Sequence, residues 1–276
     1  MNNPLLSSTT DHQIAELRAQ LPQAVLLKGP AGVGLSTIAK SIAGHNLASL
    51  IAPTSSDNEP SPEGGGEIRV IQIRNLMILT RGKSNSEQVF VIDNADRMNE
   101  SAQNAFLKLL EEPNQSVKFI LTAHAPDKLL STITSRLQHV IVSPLSTEQT
   151  IDFLRSNTDA TGRERDQLRF LAEGLPAEIV RLTTSRTYFE QTVTITTDAR
   201  NLISGSSNAK LATVTKYFSD RTSAKILIGQ TLKILDRTFL SKPDKQTHDK
   251  LQKLLYIYDK LELNANIRLT LLNFII

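Results

Sequence analysis

Gly29-Pro-Ala-Gly32-Val-Gly34-Leu35-Ser36-Thr37 follows a short apolar run and leads into a stretch with helical spacing, the context in which a glycine loop wraps a nucleotide phosphate. The glycines allow backbone N–H groups to turn inward around an anion, and the helix that follows adds the positive end of its dipole. One position breaks the chemistry: Leu35 stands where a lysine would reach the β- and γ-phosphates. Leucine offers neither charge nor donor, so efficient hydrolysis is not expected. Ser36 and Thr37 keep hydroxyls that suit a metal-bound nucleotide, which leaves weak binding of ATP or ADP with Mg²⁺ open. Also open is a loop that merely joins a strand to a helix. Farther on, Val89-Phe-Val-Ile-Asp93-Asn94-Ala-Asp96 is a strand-like run ending in the kind of aspartate that holds Mg²⁺ beside such a loop. Asn94 follows, and an amide cannot take a proton from water as a carboxylate can. Asp93 and Asp96 also admit a structural role, capping the next helix or bonding the neighbouring loop.

The elements that must position these groups are legible in outline. Asp11–Leu21 places Ile14, Leu17 and Leu21 at helical spacing, Ala24–Lys28 is a compact strand halted by Gly29-Pro30, and Ser36–Ala43 is helix-like. Residues 54–66 are rich in Ser, Pro, Gly and acidic side chains, a composition expected to form a mobile surface loop. Ile68–Leu79 reads as a strand end running into a helix, Gln88–Ile92 as a buried strand, and Met98–Glu112 as a helix stopped by Pro113. Strands follow at Val117–Thr122 and Val140–Val142, on either side of the Ser131–Leu137 segment. Apolar strands alternating with helices predict an α/β domain whose parallel sheet is covered on both faces. Beyond Ser146 the strand signal fades. Helical spacing recurs over Glu148–Asn157, Arg163–Glu173 and Pro176–Thr183, then over Ala209–Phe218, Ala224–Leu240, His248–Leu261 and Ile267–Ile276, with β-branched Val193–Ile195 ambiguous. This divides the chain into 1–143, 144–187 and 188–276.

With 276 residues, 39% hydrophobic and 21% charged, the chain has material for several folded units and none of the composition of a disordered protein. Its net charge of +3 is unevenly spread, −2 over residues 1–187 and +5 over 188–276, a mild basic tilt compatible with a solvated helical surface or an acidic partner. The absence of cysteine excludes disulfides and thiolate metal sites. No apolar run is long enough to span a membrane, and Met1–Ser7 lacks the pattern of a signal peptide, so a cytoplasmic location is expected.

Two further blocks carry a resemblance. Ala102-Gln-Asn-Ala-Phe-Leu-Lys-Leu-Leu-Glu-Glu-Pro113 resembles the AxNALLKxLEEP stretch of bacterial clamp-loader subunits of the gamma and delta-prime type, and Thr132-Ile-Thr-Ser135-Arg136-Leu137 is similar to their TIxSRC motif. The resemblance is dense from Ala24 to Val142 and faint in the last third, where Asn264–Leu271 is similar to the final collar helix. It implies a P-loop AAA+ domain with a parallel sheet, a small helical lid and an all-α collar. It also implies that Ser135 and Arg136 face ATP held by a neighbouring subunit, where a planar, permanently charged guanidinium stabilises the transferring phosphate. Asn94 then stands where AAA+ ATPases carry the glutamate that orients water, Thr122 at the position that senses the γ-phosphate, and Arg181 near the second sensor in the lid. The zinc module often inserted in this family cannot form without cysteine, and Leu137 replaces the motif's usual cysteine.

The implied function is that of a non-hydrolysing clamp-loader subunit in DNA replication. Its expected partners are gamma/tau-like motor subunits, a delta-like subunit, a sliding clamp and, through the complex, primed DNA; no membrane and no zinc are expected. Two rivals are an active ATPase that recruits Lys28 or Lys40 in place of the missing lysine, and a DNA-binding module of repair or recombination using the basic C-terminal part.

Overall fold

The computed structural model describes residues 6–55, 66–82, 86–112 and 114–275. Most of the expected loop at 54–66, the first five residues and Pro113 lie outside that set. Contacts divide the chain into two units, residues 1–183 and 184–276.

In the first unit, Ala24–Lys28 (β1) is buried for its first four residues, and its side chains alternate between two faces as a strand's must. Ala24 and Leu26 join one apolar cluster and Val25 and Leu27 the other. Gln88–Ile92 (β3) divides the same way: Phe90 and Ile92 lie on the first face, Val89 and Val91 on the second. With Leu47–Ile51 (β2), Val117–Ala123 (β4) and Gln138–Ile141 (β5), these strands form a parallel sheet in the order β2-β3-β4-β1-β5. Helices Val70–Leu79 (α3) and Glu100–Glu111 (α4) and the short turn Ser131–Thr134 (α5) cover the first face through Ile73, Leu76, Ala102, Phe106 and Ile133. Ser8–Ala19 (α1) and Leu35–Ala43 (α2) cover the second through Ile14, Leu17, Leu35 and Ile38. Sequestration of both faces explains why the strands read as near-continuous apolar runs rather than as alternating ones. Phe106 meets Phe119 edge-on at 5.3 Å between ring centroids, fixing α4 on β4.

Thr147–Asn157 (α6), Gly162–Ala172 (α7) and Pro176–Thr184 (α8) follow the sheet. Gly174 (φ +75°) turns the chain between α7 and α8, and a Cβ there would lie 2.4 Å from the carbonyl oxygen of Leu145, so only glycine fits.

The second unit consists of Arg186–Ser204 (α9), Ser207–Thr215 (α10), Arg221–Ser241 (α11), Lys245–Glu262 (α12) and Ile267–Leu272 (α13). Its core gathers Leu202, Val214, Leu227, Ile228, Leu254, Ile257 and Leu271. Asp198 is buried in it, receiving hydrogen bonds from the Lys216 ammonium and the Tyr217 hydroxyl, each at 2.9 Å; a buried carboxylate requires such partners.

Candidate functional site

The phosphate-type loop sits where expected, between β1 and α2. Gly32 and Gly34 take positive φ values of +87° and +92°, a left-handed backbone that brings successive N–H groups to one side. Gly34 is the N-cap of α2 and supplies no side-chain acceptor. The first amides of the helix, at Leu35, Ser36 and Thr37, therefore have no side-chain cap, and an anion is the group they suit. Gly29 is crowded, since a Cβ there would stand 2.5 Å from the Val142 carbonyl oxygen. His124 Nδ1 donates to the Gly29 carbonyl at 2.8 Å, tying the loop to the end of β4.

Leu35 does more than lack a charge. Its side chain is 2% exposed and belongs to the apolar cluster of Val33, Ile38 and Leu175, so the residue in the lysine's place is part of the core. Lys28 is half-buried at the end of β1 and Lys40 is exposed; Lys40 lies five residues beyond Leu35 on α2, roughly 7.5 Å along the helix axis. The start of α8 closes on the loop, with Ala177 N–H donating to the Gly32 carbonyl at 3.0 Å and Leu175 3.4 Å from where a Gly32 Cβ would be. Arg181 is exposed one turn farther along α8.

Strand register brings the remaining residues to this edge. Thr122 pairs with Leu27 on β1, and Leu121 pairs with Ile92 on β3, immediately before Asp93. Thr122, fully buried, donates from its hydroxyl to Asp93 Oδ1 at 2.7 Å and accepts from Asn94 N–H at 2.8 Å. Asn94 has φ +52°, a conformation asparagine adopts more readily than most residues. Thr122 is thus the clasp that holds the turn after β3. Asp96 Oδ2 accepts from Ala125 N–H at 3.0 Å, bonding the neighbouring loop. Among the described residues no cluster of His, Cys, Asp or Glu is suited to hold a metal ion. For Mg²⁺ with a nucleotide, Ser36, Thr37 and Asp93 are the available oxygen donors, and Asp93 is already engaged by Thr122.

Ser135 and Arg136 are not at this edge. Arg136 precedes β5, whose Gln138 pairs with Val25 near the start of β1, whereas Gly29 follows that strand's end. The difference is roughly 13 Å at 3.3 Å per residue. Arg136 Nη1 donates to the Thr132 carbonyl at 2.9 Å, and Nη2 donates to Glu111 Oε1 at 3.2 Å. Both side chains are well exposed, 41% for Arg136 and 53% for Glu111. Ser135 Oγ donates to the same Thr132 carbonyl at 3.2 Å. Buried Gln103 pins the segment leading into α5, donating to the Met98 and Lys128 carbonyls at 3.1 Å each and accepting from Leu130 N–H at 2.7 Å. The sequence reading missed Gln103 and Glu111 as supports for Arg136; both lie inside the 102–113 block, and that block's adjacency to the 132–137 block was the available signal.

The three-layer parallel sheet with a glycine loop opening α2 defines a P-loop α/β protein of the AAA+ kind. The family model described as "DNA polymerase III, delta subunit" matches residues 9–146, and the chain belongs to that family, as the 102–113 and 132–137 motifs led us to expect. It is 30% identical over 173 residues to the DNA polymerase III subunit delta' of Haemophilus influenzae, covering 55% of this chain and 53% of that protein. It is 32% identical over 187 residues to the subunit of the same name from Pseudomonas aeruginosa, covering 60% and 57%. The chain thus matches little more than half the length of these relatives. Among solved structures, a gamma subunit-related protein from Thermotoga maritima shares the fold, with a TM-score of 0.56 at 18% identity, covering 95% of this chain and 97% of that one. Among the described residues no helix is long and apolar enough to cross a membrane.

Proposed function

We propose that this chain is a non-hydrolysing, delta-prime-like subunit of a clamp loader, acting on the ATP of a neighbour rather than on its own. The observation that carries this reading is the separation of two half-sites within one sheet. At one edge lies a phosphate loop with buried Leu35 in the lysine's place and Asn94 after Asp93. At the other lies Arg136, exposed and just before β5, whose Gln138 pairs with Val25, itself roughly 13 Å back along β1 from Gly29. A guanidinium so placed is remote from its own loop and open to another subunit. Residues 144–187 serve as the lid and 188–276 as the collar that joins the ring. Gamma/tau-like motor subunits supply the hydrolysing site beside Arg136, and with a delta-like subunit the ring opens a sliding clamp and places it on primed DNA. Weak retention of ATP or ADP at the chain's own loop fits the uncapped helix start and needs no turnover there. Membership of the DNA polymerase III delta-subunit family supports the replication setting.

The test is Arg136→Ala in a complex reconstituted with motor subunits, clamp and primed DNA. Loss of an arginine finger is expected to slow ATP turnover at the adjacent site by about 10³-fold or more. Unchanged turnover and clamp loading would sink the proposal.

A further inference from the structure

We infer that Glu111 is a positioning residue for Arg136, orienting the guanidinium so that its unused donors face the neighbouring subunit's nucleotide. The inference rests on the trans-acting reading of Arg136. A guanidinium is a planar fork with five N–H donors. Here its two Nη ends are held by acceptors on different elements, the Thr132 carbonyl of α5, four residues back, and the Glu111 carboxylate at the end of α4, 25 residues back in sequence. Two anchors at the two ends fix the plane of the fork, which one could not do. Those bonds occupy two of the five donors, and with the side chain 41% exposed the others have access to solvent. The scaffold beneath is firm: Gln103 ties α4 to the chain entering α5, and Ile133 is fully buried. The negative end of the α4 dipole reinforces the carboxylate's attraction for the cation. An exposed ion pair contributes little to folding stability, so Glu111 is expected to show itself in the orientation of Arg136 rather than in the stability of the chain.

The experiment is a double-mutant cycle on steady-state ATP turnover by the full reconstituted complex. Glu111→Ala is expected to lower kcat about 5- to 20-fold, as a misoriented catalytic group does, with KM for ATP unchanged because the contact matters in the transition state. Glu111→Gln, which keeps an acceptor oxygen, should recover the rate to within about twofold. In an Arg136→Ala background, Glu111→Ala should have no further effect. The same loss in both backgrounds would assign Glu111 to the integrity of α4 and overturn the inference, as would an unchanged kcat in Glu111→Ala while Arg136→Ala is inactive. Full activity of Arg136→Ala by itself would instead overturn the finger reading, and this inference with it.

Discussion

Replacing Leu35 with alanine separates a core residue from a lost ligand. At 2% exposure among Val33, Ile38 and Leu175, the leucine side chain contributes about 1.5–3 kcal/mol through its removal from water. The cavity left by truncation adds to this, so the expected destabilisation of the first unit is about 3 kcal/mol, within the range of about 2–5 kcal/mol for buried leucines. Tyrosine fluorescence cannot report it, because all four tyrosines (Tyr188, Tyr217, Tyr256 and Tyr258) lie in the second unit. Amide hydrogen exchange of peptides covering β1 and β4 can, and about 3 kcal/mol corresponds to exchange faster by about 150-fold where opening is global. Peptides from α11 and α12, in the other unit, should change little. A change below about threefold in the β1 and β4 peptides would show that Leu35 is not part of the core, and the argument that leucine has replaced ligand chemistry with packing would fail.

Two further substitutions test other parts of the account. Thr122→Val removes a buried hydroxyl that serves Asp93 and Asn94; it should cost about 2–3 kcal/mol in chemical denaturation yet leave ATP turnover of the assembled complex unaltered where the chain stays folded, whereas a selective loss of turnover would restore a sensing role. Burial, aided by the hydrogen bond to Asp198 and that residue's charge, pushes the Tyr217 hydroxyl well above the ordinary tyrosine value of 10.0. The unfolded chain therefore ionises first, so this contribution to stability is intact below about pH 10 and declines as pH rises above it; thermal melts of wild type should show the decline and Tyr217→Phe a shallower one, while parallel slopes would refute the assignment.

How far the sequence reaches depends on which force decides each element. Strands β1, β3 and β4 were legible because burial on both faces makes them continuous apolar runs. Strand β2 was not: it lies at the sheet edge, Leu47 and Leu50 are partly exposed, and its identity comes from pairing with β3 rather than from its own pattern. Val193–Ile195 looked ambiguous because β-branched residues favour strands, yet it lies inside α9. There Thr192, Thr194 and Thr197 turn their hydroxyls onto carbonyls four residues back, and Phe189, Ala199 and Leu202 are buried, so tertiary packing overrides propensity. The glycine loop and the Asp93–Asn94 turn were found by local spacing, which suits chemistry carried by adjacent residues. The clasp of Thr122 on Asp93 and the contact of Glu111 with Arg136 span 29 and 25 residues; the first depends on the register of β4 against β3 and the second on the packing of α4 beside α5, neither of which a local pattern encodes.

The most direct measurement is steady-state ATP turnover by the purified chain alone and again in the reconstituted complex with motor subunits, clamp and primed DNA. A chain with Leu35 in its core and Asn94 after Asp93 should show no turnover above background alone, while the complex turns over ATP in a manner that depends on Arg136. Sustained turnover by the isolated chain, abolished by Asp93→Ala, would contradict the account and make this protein an ATPase in its own right.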